Sequence, residues 1–357
     1  MEVAEGTALA PLTTMGLGGP ARFFVHARYD ADVRAAWAWA RERGVPLRVL
    51  GGGSNVVVDD AGIDGLVLHL DTRGIDWRET ADAVDVTAAA GEPWDDLVRC
   101  AVTRDWAGLE CLSGIPGRVG ATPIQNVGAY GQEVADVVVI VRALDRTSGE
   151  IHALNPEECG FDYRSSVFKR DPGRWVVLRV SFALERSPLS GPVRYAELAA
   201  RLGVAEGDRA PLRAVREAVL ALRRGKGMVV DPADPDSVSA GSFFTNPVLR
   251  ERDFEALAAR VASRLGDDVR LPAWPQPPGA VKTSAAWLIE RAGFRRGHGN
   301  PRGIAISSKH TLALCNRGAG TTAELVALAR EIAGGVRDAF GVELVPEPVL
   351  VGHAWEG

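Results

Sequence analysis

A run rich in glycine and proline occupies residues 113–131, with the sequence SGIPGRVGATPIQNVGAYG. It contains too much glycine and proline for a helix, yet it is too apolar for a solvated linker. Glycine lets the main chain approach a ligand where a side chain would block the way. We therefore expect an extended lining that lays backbone N–H groups against an anionic ligand, although a complicated surface loop would also fit the composition.

A second glycine segment, GGGSN, covers residues 51–55 and is called the glycine loop below. Apolar, strand-like residues stand on both sides of it, LRVL over 47–50 and VVV over 56–58. A dinucleotide fold of the Rossmann kind needs its glycine loop to open a helix, so that the helix dipole meets the pyrophosphate. Because this loop joins strand to strand, the sequence disfavours that fold.

A lone hydroxyl, Ser242, stands in the segment SAGSFFTNP, residues 239–247. Gly241 bares the backbone on one side of it, and two phenylalanines on the other side exclude water. The segment could be a turn whose serine caps a helix or bonds its own backbone, with the phenylalanines as ordinary core. These residues alone leave open whether the hydroxyl is held there for chemistry.

Metal-ligand spacing is missing from the sequence. The four cysteines are far apart with no CxxC pair, and the six histidines are scattered. We therefore expect reduced structural thiols and no metal site. The cysteines are Cys100, Cys111, Cys159 and Cys315.

Length and composition indicate a soluble globular protein of two or three domains, with 357 residues, 46% hydrophobic and 24% charged. A net charge of −5 argues against a general nucleic-acid binder, so small-molecule partners are expected. The longest apolar run, VVVIV over 137–141, is too short to cross a bilayer, and no charged segment followed by an apolar one opens the chain. We expect a cytoplasmic protein with no membrane insertion.

Periodicity and turn residues place the elements that must position these segments. Helices are predicted from Asp30, as N-cap, to Gly44 and near 93–103, 212–222, 252–265, 283–292 and 321–339. Strands are predicted at 23–27, 47–50, 56–58, 65–70, 84–90, 137–144, 150–154, 175–184 and 311–315. A linker of prolines and acids, residues 229–236, predicts a domain boundary beside it.

Five motifs in this order resemble those of the UDP-N-acetylenolpyruvoylglucosamine reductase family, flavoenzymes that complete UDP-N-acetylmuramic acid for peptidoglycan. Any one of them is a weak signal, but five in order, from about Met15 to Val351, are a strong one. The motifs are LGGGSNVVV, IPGRVGATPIQNVGAYGQEV, YRSSVFK, SAGSFFTNP and LVPEPVLVG.

The resemblance implies an α+β fold with an FAD-binding portion of the vanillyl-alcohol-oxidase (PCMH) type, made of two subdomains, and a C-terminal α+β domain that covers the substrate. On this basis we expect the first subdomain over 1–72, with a C-terminal strand from 345–357 returning to it. The second subdomain is expected over 73–228 and the substrate-binding domain over 229–344. A monomer is expected.

The family reaction implies two cofactors, FAD and NADPH, and the substrate UDP-N-acetylglucosamine enolpyruvate. The FAD pyrophosphate would be held by main-chain N–H groups of the glycine loop and by the Ser54 hydroxyl. The loop contacts would come from Gly51, Gly52, Gly53, Ser54 and Asn55. The rest of the cofactor would be lined by Ile115, Pro116, Gly117, Gly120, Ala121, Thr122, Asn126 and Gly128.

Three residues match the catalytic positions of the family. Arg164 would clasp the substrate carboxylate, and Glu347 would be the acid that partners the developing enol. Ser242 would donate the proton to C2 after hydride reaches C3. Each also has a plain structural interpretation: a surface arginine, a carboxylate at a strand end, and the turn serine described above.

Substrate contacts also follow from the resemblance. Tyr195 looks like the tyrosine of a mobile loop that closes on the substrate diphosphate, and Lys226 and Asn246 would be further diphosphate contacts. The chain departs from the family in a longer linker over 229–238, which affects the placement of Lys226, and in Trp274, which stands where relatives have a tyrosine. Lys282 and His310 lie in matching segments and receive no role.

Two other functions fit parts of the sequence. The first is an FAD-dependent sugar or alcohol oxidase of the same superfamily, but such enzymes often bind FAD covalently through a histidine near the pyrophosphate loop, and GGGSNVVV has none. The second is a flavin or nucleotide-sugar binding regulator that has lost its chemistry. Loss of chemistry would be expected to remove a member of the catalytic trio, and all three residues are present.

Overall fold

The computed structural model of the chain describes residues 1–276 and 278–355. The chain forms two compact units, each built from separate stretches. Unit 1 comprises residues 1–7, 21–53 and 64–229, and unit 2 comprises residues 8–20, 54–63 and the chain from 230 onward. The last two residues of the segment 345–357 lie outside the described residues.

Strands supply most of the regular structure in the first half of the chain. In chain order the strands are β1 (Ala4–Ala8), β2 (Pro20–Ala27), β3 (Leu47–Leu50), β4 (Val56–Val58), β5 (Ile63–Leu70), β6 (Ile75–Glu79), β7 (Ala83–Ala89), β8 (Trp106–Ala107), β9 (Gly128–Ala129), β10 (Gln132–Glu133), β11 (Val138–Asp145), β12 (Ile151–Leu154), β13 (Trp175–Arg186), β14 (Ser239–Ser242), β15 (Val248–Arg250), β16 (Trp274–Gln276), β17 (Ala280–Lys282), β18 (Ile304–Ile306), β19 (Ala313–Asn316) and β20 (Val349–Val351).

Among the described residues, the three longest helices lie in the second half of the chain. In chain order they are α1 (Asp30–Glu42), α2 (Trp94–Thr103), α3 (Pro156–Cys159), α4 (Val167–Arg170), α5 (Ala196–Leu202), α6 (Leu212–Gly225), α7 (Glu251–Leu265), α8 (Ala285–Arg291) and α9 (Thr322–Phe340). Single turns of 3₁₀ helix occur at Ala10–Leu12, Glu110–Leu112, Val119–Ala121, Val134–Asp136 and Pro235–Ser237.

The smaller sheet of unit 1 has the strand order β1-β2-β5-β3. Strands β3 and β5 pair in parallel, with Leu47 opposite Leu66. Helix α1 follows β2 and buries Val33, Ala36 and Ala40, which share one face because they are three or four residues apart. This packing fixes the end of β3, from which the glycine loop departs.

The larger sheet of unit 1 has the order β12-β11-β13-β7-β6, and β8 also pairs with β13. Strand β13 is central and antiparallel to β11 and β7, and its residues alternate between buried and less buried over much of its length. The Trp94 ring of α2 lies 6.1 Å from that of Phe182 on β13. Both side chains are fully buried in the main core of the unit.

Helices α5 and α6 close a second, smaller core in unit 1. Val215 and Val219 are buried on one face of α6, while Arg213 and Arg224 are exposed on the other. This arrangement is the apolar stripe expected from the sequence. Tyr130, from the glycine-rich run, packs against the same cluster, so these helices support the end of that run.

Unit 2 contains two three-stranded sheets, β14-β19-β18 and β15-β17-β16, and a parallel pair of β4 with β20. Helix α9 begins at a capping box between Thr321 and Glu324 and ends at Gly341, whose φ of 68° is readily adopted by glycine. Its buried residues join those of α7, α8 and β14 in one core. That core holds the serine segment in place.

Most of the predicted elements are confirmed within a few residues, with one correction. Asp30 is not the N-cap of α1: Tyr29 is, and Asp30 lies in the first turn. The linker over 229–236 ends at a buried residue, Asp236. Its carboxylate pairs with Arg317 at 2.6 Å and accepts a hydrogen bond from the N–H of Ser308. No helix within the described residues is long and apolar enough to cross a membrane. The four thiols are free.

Candidate functional site

The glycine loop runs from strand to strand, as predicted, with β3 ending at Leu50 and β4 beginning at Val56. Gly53 has a φ of 62°, in the region that favours glycine. A Cβ atom on Gly52 would lie 2.8 Å from the Cα atom of Gly117. The loop and the glycine-rich run therefore touch main chain to main chain in unit 1, and only glycine permits that approach.

The glycine-rich run lies against the strands and turns of unit 1. The N–H of Gly120 donates to the carbonyl of Ala90 at 2.9 Å, and a Cβ atom on Gly120 would lie 2.5 Å from that of Ala90. Thr122 is buried and donates from its hydroxyl to the carbonyl of Val119. Ile115 packs against the main core, whereas Ala121 is exposed. Packing alone therefore explains why residue 120 is glycine.

The side chain of Asn126 is used inside the loops of unit 1. Its Nδ2 donates to Glu133 Oε2 at 2.7 Å and to the carbonyl of Asp162 at 3.2 Å, and its Oδ1 accepts from the N–H of Ala135. Asn126 is buried and has a φ of 43°, a conformation that asparagine adopts more readily than most residues. The Asn126 side chain therefore holds these loops together.

Arg164 is anchored on the same loops. Its Nη1 donates to the carbonyl of Asn126 at 3.2 Å, and its Nη2 donates to the carbonyl of Gly128 at 2.6 Å. A Cβ atom on Gly128 would lie 3.0 Å from Nη1. Arg164 itself has a φ of 51°, which is uncommon for a residue other than glycine and suits a functional position. The guanidinium is thus held by two main-chain carbonyls that a glycine makes accessible.

Tyr195 and Lys226 lie close together in unit 1. Tyr195 immediately precedes α5, and its ring makes an edge contact with that of Tyr130, with centroids 5.3 Å apart. The Lys226 ammonium binds the carboxylate of Glu197 at 2.7 Å. Burial lowers the pKa of Lys226, but Glu197 outweighs that effect and the pKa is raised, so the amine remains charged. Glu197 carries no sequence signal of its own and was missed.

A cluster of charged residues, which the sequence does not predict, surrounds Asp71. Its carboxylate lies 3.1 Å from His26 Nε2 and 3.3 Å from Arg118 Nη2, and it also binds Arg73. Burial opposes ionisation of Asp71, yet the His26 hydrogen bond and the two arginines outweigh it, so its pKa is lowered. Arg118 could have been noticed, because it is the one charged residue among positions 113–131.

Ser242 is the last residue of β14, in unit 2, and is half-buried opposite Ala313. Gly241 precedes it with a φ of 78°, and a Cβ there would meet nothing within 4 Å. Within the described chain the Ser242 hydroxyl has no hydrogen-bond partner, so it neither caps a helix nor closes a turn. The rings of Phe243 and Phe244 are buried, with centroids 5.1 Å apart, as expected for core.

Glu347 is tied to the serine segment through the backbone. Its N–H donates to the carbonyl of Phe243 at 2.8 Å, and its own carbonyl accepts from Asn55 Nδ2 at 3.3 Å. The next link is the N–H of Val349, which donates to the carbonyl of Asn55 at 2.9 Å. Unit 2 therefore brings together three predicted site residues: Ser242, Glu347 and Asn55.

The other predicted substrate residues of unit 2 lie on separate elements. Asn246 Oδ1 accepts from the N–H of Ala285 at 3.0 Å, so it supports the start of α8. Trp274 is 47% exposed on β16, and Lys282 lies opposite it on β17. His310 belongs to the turn before β19, where its N–H donates to Ser307.

Side chains of the types that bind metals are not clustered in the described residues. No group of three or more histidine, cysteine, aspartate or glutamate side chains is placed to hold an ion there. Burial raises the pKa of the Cys315 thiol to about 12, so this side chain is a neutral thiol at neutral pH.

Comparison with known proteins agrees with this arrangement. A family model described as an FAD binding domain matches residues 21–155. A model described as the C-terminal domain of UDP-N-acetylenolpyruvoylglucosamine reductase matches residues 232–351. The expected fold class, a PCMH-type FAD-binding portion followed by a C-terminal substrate domain, is confirmed.

Individual relatives match over nearly the full chain. The UDP-N-acetylenolpyruvoylglucosamine reductase of Streptomyces coelicolor is 57% identical, covering 97% of this chain and 89% of its own. That of Thermobifida fusca is 54% identical, covering 98% of both. The crystal structure of the Thermus caldophilus enzyme is 25% identical with a TM-score of 0.64, covering 98% of both chains. This chain therefore belongs to the UDP-N-acetylenolpyruvoylglucosamine reductase family.

Proposed function

We propose that this chain reduces UDP-N-acetylglucosamine enolpyruvate to UDP-N-acetylmuramate, with NADPH as reductant and FAD as cofactor, and so supplies a precursor of peptidoglycan. One combination carries the proposal: a family match over nearly the whole chain together with a serine segment whose backbone binds that of Glu347. The family membership favours this reaction over an FAD-dependent sugar oxidase or a regulator without chemistry.

The glycine segments suit FAD. Where Gly52 meets Gly117, the main chain is bare, and backbone N–H groups in such loops bind phosphate oxygens. Residues 51–55 would hold the diphosphate, and the main chain between Ile115 and Gly128 would line the rest. When bound, FAD supplies the relay of a hydride from NADPH to C3 of the enolpyruvyl ether.

Ser242 donates the proton that C2 of the substrate then requires. A serine is a weak acid in water, so the role demands a strongly basic acceptor and a site from which bulk water is kept away. The carbanion at C2 is such an acceptor, and the two phenylalanines that follow Ser242, Phe243 and Phe244, are buried. Because the Ser242 hydroxyl has no partner in the described chain, no internal hydrogen bond is lost when it turns towards substrate.

Arg164 and Glu347 act on the carboxylate end of the same intermediate. The forked donors of Arg164 suit a planar carboxylate that gains charge as the carbanion forms, and two carbonyls fix the fork in advance. Glu347 is the acid that partners the developing enol. Its main chain is fixed on two sides, by Phe243 and Asn55, so its side chain starts from a defined position.

Tyr195, Lys226 and Asn246 contact the substrate diphosphate. Lys226 is charged and now bound to Glu197, so a diphosphate would take over from that carboxylate. Tyr195 is 41% exposed beside Tyr130, and its phenol can donate to a phosphate oxygen. Asn246 already uses its Oδ1 on α8, which leaves its amide nitrogen as the donor.

The cellular setting completes the proposal. The enzyme works in the cytoplasm, where NADPH and nucleotide sugars are available, and it acts as a monomer. Its first FAD-binding subdomain comprises residues 1–72 with 345–357. The second FAD-binding subdomain comprises 73–228, and the substrate-binding domain comprises 229–344. Size-exclusion chromatography with light scattering tests the monomer, since a particle of about twice 38.0 kDa would contradict it.

An anaerobic spectral titration tests the function. The purified protein should carry the yellow flavin absorbance, lose it with NADPH, and regain it when UDP-N-acetylglucosamine enolpyruvate is added, with UDP-N-acetylmuramate as product. An oxidase would instead be bleached by a sugar or alcohol. A colourless protein that takes up no FAD would overturn the proposal at its first step.

A further inference from the structure

The Arg118 side chain lies against the glycine loop. Its Cγ atom is 3.5 Å from the position that a Cβ on Gly51 would take, and its neighbour Gly117 meets Gly52. The backbone on either side of Arg118 is held as well, because Gly117 accepts from the N–H of Trp94 and Val119 donates to Glu92. The stem of Arg118 is therefore fixed beside bare main chain.

One hydrogen-bond donor of Arg118 has no acceptor among the described residues. The Nε atom of Arg118 is buried, and the described residues offer it no hydrogen-bond partner. Buried polar groups in native proteins are nearly always satisfied, and each exception calls for an explanation such as a water or a ligand. The Arg118 side chain as a whole is 19% exposed, so the guanidinium group borders on solvent although its Nε atom is buried.

Asp71 sets the direction of the guanidinium. It lies 3.3 Å from Arg118 Nη2, while its other contacts are His26 and Arg73. Glu92 lies 3.6 Å from Arg73, so the two carboxylates balance the two guanidinium groups. The pairing thus accounts for the charge and the orientation of Arg118 but leaves its Nε donor unused.

We propose that Arg118 donates hydrogen bonds to the diphosphate of FAD, and that Asp71 is a positioning residue that aims its guanidinium. The inference rests on the proposed binding of FAD by the glycine loop. A diphosphate is the part of FAD that pairs with a fixed cation, and the N–H groups of bare glycine main chain bind the same anion. Arg118 adds a positive charge to these N–H groups.

The test compares three ligands on the apoprotein. FAD and ADP carry the diphosphate, whereas riboflavin carries the flavin alone. Arg118→Met keeps most of the stem and removes the charge, so it should weaken FAD and ADP binding by about 10- to 100-fold and leave riboflavin binding nearly unchanged. Arg118→Lys should recover part of the lost affinity for FAD and ADP. Asp71→Asn should weaken FAD binding less than Arg118→Met does.

Flavin fluorescence quenching measures FAD and riboflavin, and competition against FAD measures ADP. Arg78→Met is the control, because that arginine is 81% exposed in unit 1, and it should change nothing. Unchanged FAD affinity in Arg118→Met would overturn the proposal. So would an equal loss for riboflavin and FAD, which would make Arg118 a brace for the loop. If Arg118→Met fails to fold, the same comparison in Arg118→Lys decides, and a parent that binds no FAD refutes the proposed function itself.

Discussion

The backbone N–H of Glu347 donates a 2.8 Å hydrogen bond to the carbonyl of Phe243, the residue that follows Ser242. This bond joins two segments that are distant in the sequence. A neighbouring hydrogen bond, from Thr245 to Val345, links residues that are 100 positions apart. The carboxylate and the hydroxyl therefore start from neighbouring stretches of backbone. Their roles can be separated by experiments on each half of the catalytic cycle.

Ser242→Ala should leave the reduction of bound flavin by NADPH nearly intact and slow its reoxidation by substrate. General acids contribute about 10²- to 10⁴-fold, and we expect the upper part of that range because Ser242 is the one proton donor proposed for C2. Stopped-flow absorbance follows both steps. Since the hydroxyl has no partner in the described chain, the thermal unfolding of Ser242→Ala should match that of the parent.

Ser239→Ala is the matched control for this experiment. Ser239 lies on the same strand, is buried, and accepts from the N–H of Gly241 at 3.2 Å. Its loss should lower stability while sparing the rate ratio of the two half-reactions. Reoxidation of Ser242→Ala at the parental rate, with product formed, would remove Ser242 from the mechanism.

Arg164→Lys should lower kcat/KM by about 10- to 100-fold, because lysine keeps the charge but cannot span the carbonyls of Asn126 and Gly128 while clasping a carboxylate. Steady-state kinetics with the enolpyruvyl substrate measure this. Arg170→Lys, at an exposed position six residues on, serves as the control. Parental turnover in Arg164→Lys would rule out carboxylate clasping.

Tyr195→Phe should weaken substrate binding by about 1.5–3 kcal/mol through loss of a charge-assisted hydrogen bond, and should spare FAD binding. The edge contact with Tyr130 survives in phenylalanine, so the loop keeps its packing. Titration of the flavin spectrum with substrate gives the affinity. Tyr29→Phe, 72% exposed, is the control, and equal affinity in both variants would show that Tyr195 does not contact substrate.

Gly52→Ala should destabilise unit 1 by about 1–3 kcal/mol and weaken FAD binding, because its Cβ would lie 2.8 Å from the Cα of Gly117 and force the two segments apart. Urea unfolding and FAD titration measure the two effects. Gly173→Ala is the control, since no atom lies within 4 Å of the new Cβ. FAD binding at parental strength would mean that the close approach is unimportant for the cofactor.

Acid should destabilise the protein partly through Asp145. This carboxylate is buried, but Arg174 donates to it twice, at 2.9 and 2.8 Å, and Thr147 also binds it, so its pKa is held well below the ordinary range. The folded state then binds fewer protons than the unfolded state. Its stabilisation is complete above about pH 4, the unfolded pKa, and is lost as the pH falls towards the folded pKa.

Asp145→Asn tests that assignment. The variant should be less stable than the parent at pH 6, and its free energy of unfolding should fall less steeply between about pH 5 and pH 2.5. Urea unfolding across that range measures both. Asp82→Asn, at an exposed position, should keep the parental slope. Identical slopes for Asp145→Asn and the parent would assign the acid sensitivity to other groups.

The sequence predicts those parts of the fold that depend on local pattern. The face of α1 formed by Val33, Ala36 and Ala40 follows from helical spacing, and the strand-loop-strand setting of the glycine loop follows from the residues beside it. Residue type predicts the N-cap of α1 one residue late, because aspartate is a good capping residue in general, whereas Tyr29 occupies that position here.

Long-range charge pairs lie beyond such reasoning. Nothing near Asp71 in the sequence points to Arg118, and nothing near Asp236 points to Arg317, because the sheets and turns that bring them together are set by the whole fold. The roles of Ser242, Arg164 and Glu347 came from resemblance to a family. The structure adds their surroundings, such as the two carbonyls that hold Arg164.

The parallel pairing of β4 with β20 has a consequence for the folding of the chain during its synthesis. Asn55 and Glu347, which border these strands, are 292 positions apart. During synthesis β4 therefore leaves the ribosome long before its partner β20. An unpaired strand edge invites association with other chains, and distant pairings form slowly. The nascent protein therefore carries an unpaired strand edge beside its glycine loop until β20 emerges, and termination before residue 349 would release a chain prone to aggregate.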